Sequence, residues 1–120
     1  MKSTHNILRI ALFACIVFSM LAISGCKKES YMVKYEVVCS PDGFIVNYMN
    51  SLGSLAQAEI GTGSWSTTFE AEPETYVQLT AMADNEDATI TVNIYHDEVL
   101  FKTLSSTGDF AVVSVSGFLP

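Results

Sequence analysis

The chain has 120 residues, 49% of them hydrophobic, with 13 Asp and Glu against six Lys and Arg for a formal charge of −7. Such a length accommodates one small domain. The acidic balance excludes a domain that grips nucleic acid, because phosphates have to be neutralised by Lys and Arg.

The chain begins with two positive charges, Lys2 and Arg9, and then an apolar segment from Ile10 to Ile23 interrupted only by Ser19. A bilayer core of roughly 30 Å needs about 20 apolar residues in a helix, so this run is too short for an ordinary span and has the length of a signal peptide's apolar region. Ile23, Ser24, Gly25 and Cys26 follow it directly. They resemble the lipobox of bacterial lipoproteins, in which small residues admit the chain to a peptidase and the cysteine thiol receives a diacylglyceryl group. Residues 1–25 are therefore expected to leave as a signal peptide, with Cys26 as the lipidated first residue of the mature protein. Because each buried methylene contributes about 0.8 kcal/mol, several acyl chains hold almost permanently where one holds only marginally. The expected location is the bacterial cell envelope, by lipid anchor to the outer membrane, on its periplasmic or surface face.

Residues 26–30 then form the lipidated cysteine and a short tether. Four extended residues reach only about 14 Å, so the domain is expected to ride close to the membrane. The mature chain keeps four lysines (Lys27, Lys28, Lys34 and Lys102) against all 13 acidic residues. Lys27 and Lys28 stand where they can meet anionic headgroups.

From residue 31 onward the sequence reads as strands. Tyr31 to Ser40 places Val33, Tyr35, Val37 and Cys39 on one face and Lys34, Glu36 and Ser40 on the other, the alternation of a half-buried strand. A Pro41-Asp42-Gly43 turn precedes a second strand with Phe44, Val46 and Tyr48 inward. Residues 50–63, rich in Gly, Ser and small side chains, read as loop around a short edge strand. Trp65, Thr67, Phe69 and Ala71 share the next inward face, then Val77, Leu79 and Ala81, then Ala88, Ile90, Val92 and Ile94. The break at His96-Asp97-Glu98 predicts a hairpin. Ser105 to Gly108 reads as a loop before a last strand, Phe110 to Gly117. The whole predicts an all-β fold, a small immunoglobulin-like antiparallel β-sandwich of about seven strands over residues 31–120.

The series Tyr35-x-Val37, Phe44-x-Val46-x-Tyr48, Ser64-Trp65-x-x-x-Phe69, Val77-x-Leu79-x-Ala81, Ile90-x-Val92-x-Ile94-Tyr95-x-Asp97 and Ser105-Ser106-x-Gly108 covers nearly all of residues 31–118. It resembles the soluble domain of MmpS-type (Mycobacterium membrane protein small) proteins. The resemblance implies a small β-sandwich held at a membrane and, as partner, an envelope transport complex of the MmpL exporter type. Where those proteins carry a transmembrane helix this chain has a lipobox, and where their hairpin turn is commonly Asp-Gly this chain has Asp97-Glu98. Glu98 argues against a type I′ turn, because Glu at positive φ costs more than Gly.

Catalysis has little to draw on. Arg9 leaves with the signal, His96 is the single mature histidine, and Cys39 is the single mature thiol besides Cys26. A nucleophile and base would require Cys39 and His96 to meet, yet Cys39 points inward and His96 lies at a turn. Asp84-Asn85-Glu86-Asp87 lacks the spacing and glycine of a calcium loop, so it reads as a solvated loop, and no metal or cofactor is expected. Trp65 alternates with Phe69 and reads as core. Tyr76, Met82 and Tyr95 fall opposite the inward sets and are the expected partner contacts. The expected role is a membrane-tethered, non-catalytic interaction or transport-accessory domain; the alternative is a surface or periplasmic binding module for a glycan, lipid or protein ligand.

Overall fold

The computed structural model describes residues 28–120, so the predicted signal peptide and Cys26 lie outside the described residues. Eight strands follow one another: β1 (Tyr31–Ser40), β2 (Phe44–Met49), β3 (Leu55–Ile60), β4 (Ser64–Ala71), β5 (Tyr76–Ala83), β6 (Ala88–His96), β7 (Val99–Gly108) and β8 (Val112–Phe118). They form two four-stranded sheets, the first ordered β4-β1-β6-β7 and the second β3-β2-β5-β8, with every pairing antiparallel. β1, β2, β4 and β5 have the neighbour relations of strands B, C, E and F of an immunoglobulin sandwich, β3 and β8 flank them as C′ and G do, and β6 takes the place of A. Among the described residues no helix is long and apolar enough to cross a membrane.

The alternating sequence sets become the core. Val33, Tyr35 and Val37 of β1 meet Val46, Val77 and Leu79 of the second sheet, all without exposed surface, and Ile90, Val92 and Ile94 of β6 continue the layer. Each such side chain contributes about 1.5 to 3 kcal/mol when fully buried. Apart from Tyr35, which carries its hydroxyl into this layer, and the Cys39 thiol, no polar or charged residue among those described is buried. Trp65 of β4 lies half-buried against Tyr48 of β2, ring centroids 5.0 Å apart, at the margin of the core.

The strand directions give the domain two ends. At the tether end lie Tyr31, the β2–β3 turn, the β4–β5 loop, the β6–β7 turn and the C-terminus; at the distal end lie the β1–β2, β3–β4, β5–β6 and β7–β8 loops. The β2–β3 turn is held by its own first residue, since Asn50 Oδ1 accepts the N–H groups of Leu52 and Ser54 at 3.0 Å each.

Two expectations are corrected. Ser105 to Gly108 is not a loop but the second half of β7. Hydroxyl side chains that read as loop chemistry are cross-strand pairs here, with Thr91 Oγ1 and Ser105 Oγ 2.5 Å apart and Thr89 Oγ1 and Thr107 Oγ1 3.2 Å apart. The Asp97-Glu98 turn does have the type I′ signature, with φ of 47° and 67° at its two central residues. Its strain is offset locally. Asp97 donates its N–H to the Met32 carbonyl at 2.9 Å and accepts the Met32 N–H on Oδ1 at 2.8 Å, while a two-residue link between His96 and Val99 favours the primed twist.

Candidate functional site

The three expected contact residues fall on two different surfaces. Tyr76 and Met82 both project from the outer face of β5 in the second sheet, while Tyr95 projects from the outer face of β6 in the first. Parity along each strand puts all three outward; the sheet to which each strand belongs separates Tyr95 from the other two.

Around Tyr95 the outer face of the first sheet is a polar network. Pairing sets Thr68, Lys34 and Tyr95 side by side in one row and Ser66, Glu36 and Asn93 in the next. Asn93 Nδ2 donates to Glu36 Oε1 at 3.0 Å, Tyr95 O–H donates to the same oxygen at 3.4 Å, and Thr103 Oγ1 donates to Asn93 Oδ1 at 2.6 Å. The Asn93 amide, followed by the Lys34 charge, holds the Glu36 carboxyl below its usual range. Lys34 Nζ stands 3.5 Å from Glu36 and 5.7 Å from the Tyr95 ring centroid. Beside this network, toward the tether end, an open groove of about 620 Å³ is lined by Met32, Lys34, Thr68, Tyr95, Asp97 and Glu98. It offers an aromatic side chain, a hydroxyl, one cation and two carboxylates.

In the sequence Asp97 reads as a turn residue and as one position of the MmpS-like series. It joins the tether to the domain: its carboxylate pairs with Lys28, and Lys28 Nζ also stands 4.9 Å from the Tyr31 ring centroid. Lys28, then the Met32 N–H, hold the Asp97 carboxyl below its usual range. The signal available in the sequence was Asp at a hairpin turn; its partner 69 positions earlier becomes visible only through the β1–β6 register.

The outer face of the second sheet is apolar at both ends and polar between them. At the tether end Tyr76 and Phe118 are directly paired, their rings 5.3 Å apart. At the distal end Ile45, Met82 and Val112 form one row across β2, β5 and β8. Between the two ends Thr80 and Ser114 hydroxyls stand 2.6 Å apart.

Cys39 and His96 occupy opposite ends of the first sheet. His96 is registered with Val33, six residues or about 20 Å along β1 from Cys39. The thiol is buried, burial and then the charges of Asp84 and Asp42 push its pKa up, and its nearest acceptor is the Pro41 carbonyl at 3.4 Å. His96 is half-buried between the Tyr31 and Phe101 rings, at centroid distances of 5.1 and 5.4 Å. Among the described residues no three His, Cys, Asp or Glu side chains gather where they could hold a metal ion. No family model matches the chain, and no curated protein matches it.

Proposed function

We propose that this protein is a lipid-anchored, non-catalytic component of the bacterial envelope that works by contact, as an interaction or accessory domain of an envelope transport or surface complex. The observation that carries this reading is the outer face of the second sheet. There Tyr76, Met82, Val112 and Phe118 are exposed by 37, 40, 55 and 69%, on a face that no other part of the described chain covers. The lipobox at Cys26 and the resemblance to MmpS-type domains supply the membrane setting. A second reading, a binding module for a glycan, lipid or protein ligand, is favoured by the groove beside Tyr95.

A photo-crosslinking residue placed in turn at Tyr76, Met82 and Tyr95, activated in intact membranes, separates the two. A protein adduct from position 76 or 82 and none from 95 is the expected result. Adducts confined to position 95 move the function to the groove, and adducts from none of the three overturn the contact reading. In the same cells, mass spectrometry of the mature N-terminus is expected to show an acylated Cys26, and Cys26→Ala to free the protein from the membrane. A Cys26→Ala protein that stays membrane-bound at unchanged mass would refute the anchor.

A further inference from the structure

We propose that the distal end of the second sheet's outer face is the docking surface, and that its occupant is a cationic protein segment inserting an apolar side chain among Met82, Val112 and Phe110. The proposal rests on the contact reading above and deepens it by naming the surface and the partner's chemistry.

The geometry comes from the pairing. Glu59, Ile45, Met82 and Val112 lie side by side across all four strands, a row about 14 Å wide at the usual strand spacing. Two residues before Val112, Phe110 holds a φ of 53° and leaves half of its surface exposed. Its loop is fixed on both sides, because the Phe110 N–H donates to the Asn85 carbonyl at 3.0 Å and the Ala111 carbonyl accepts the Ala83 N–H at 2.9 Å. An exposed aromatic on a fixed loop loses little freedom when it is covered, which favours it as a binding anchor.

Charge identifies the occupant. Asp42, Asp84, Glu86, Asp87 and Asp109 lie in the loops of this end, and Glu59 ends the apolar row. The described lysines all lie toward the other end: Lys28 in the tether, Lys34 opposite Tyr95, and Lys102 opposite Ile94. Both ion pairs among the described residues are there as well. The apolar row is thus bordered by one sign of charge only. A second copy of the chain would bring carboxylates against carboxylates around the same contact, and an anionic lipid surface or a nucleic acid would be repelled. A segment bearing Lys or Arg on either side of an apolar residue satisfies both the row and its rim.

The test uses the full chain in neutral maltoside detergent, with empty micelles as the blank and three fluorescent pentapeptides as probes: Lys-Lys-Phe-Lys-Lys, its Ser-centred form and its Glu-flanked form. Only the first is expected to bind. Its affinity should fall about ten-fold in Met82→Ser and in Val112→Thr, fall several-fold in the triple variant Glu59→Gln, Asp84→Asn and Glu86→Gln, and weaken as salt rises. Tyr76→Ser with Phe118→Ser, and Glu70→Gln with Glu72→Gln and Glu74→Gln, should leave it unchanged. Equal losses from acidic substitutions at either end would mean that charge alone attracts the peptide, and would overturn the proposal. Loss confined to Tyr76 and Phe118 variants would overturn it while leaving the contact reading intact. Self-association abolished by Met82→Ser would make the occupant a second copy and overturn it too. If crosslinks from both position 76 and position 82 were absent as well, the contact reading would fall with it.

Discussion

Tyr35 carries an ionisable group into the core, and that makes the core's energetics measurable by pH. Its side chain has no exposed surface, its O–H donates to the Met49 carbonyl at 2.8 Å, and burial pushes its pKa from 10.0 up to about 12. Replacing it by Phe removes the donor and leaves the Met49 carbonyl without it, which is expected to cost about 1 to 2 kcal/mol at neutral pH. Alkali acts on the wild type alone. The fold favours the neutral phenol, so between pH 10 and 12 the folded state holds a proton that the unfolded chain has released. The contribution of Tyr35 is intact below pH 10 and is lost as the pH climbs through the folded value, by about 1.4 kcal/mol at pH 11 and about 2.3 kcal/mol at pH 12. Tyr35→Phe escapes that loss. The wild type should therefore be the more stable protein at pH 7, and the two should become equal near pH 11. Urea unfolding followed by Trp65 fluorescence, on both proteins across this range, reads the difference directly, and the other tyrosines and lysines cancel because both proteins share them. A gap that stays constant into alkali, or no gap at neutral pH, would refute the reasoning.

Two other substitutions probe positions where the backbone is constrained. A Cβ on Gly63 would stand 2.9 Å from the Cys39 carbonyl and 2.7 Å from Asp42 Oδ1, and Cys39 cannot retreat because its N–H donates to the Gly63 carbonyl at 2.8 Å. Gly63→Ala should cost about 1 to 3 kcal/mol, each kcal/mol worth about 4 to 8 °C of Tm in a domain of this size. Gly61, two residues away, has open space around it, so Gly61→Ala should be neutral or slightly stabilising; equal melting of the two variants would show that the close approach is not rigid. At the tether, Asp97→Ala should speed amide hydrogen exchange at Met32 and leave the global melt in place. Because the Asp97 carboxyl is held below its usual value of 3.8, protection at Met32 should be present above the ordinary carboxylate range and disappear only as the pH falls beneath it. Exchange at Met32 that ignores the substitution would mean that the turn does not hold the tether.

The inward faces were legible because alternation is a local property. Val33, Tyr35, Val37 and Cys39 are two residues apart, and any pairing that buries one buries all. The second half of β7 was not legible, because Ser105, Ser106 and Thr107 take their strand character from partners on β6 rather than from apolar side chains of their own. The same limit applies to the surfaces. Outward parity placed Tyr76, Met82 and Tyr95 in solvent-facing positions, yet whether they share a surface depends on which strands become neighbours. The union of Met82 with Val112 and Ile45 depends on the β2–β5 and β5–β8 registers, and the groove beside Tyr95 on contacts between Met32 and Asp97, 65 residues apart.

The tether enters the domain through β1, which is an inner strand with eight registered partners on β4 and eight on β6. A load applied between the residues before Tyr31 and the distal loops runs along that strand. Both ladders then resist by sliding past their neighbours together, so no single end can be peeled open bond by bond as an edge strand can. Had the chain begun on β8, whose outer edge is unpaired, the same pull would have met one ladder only.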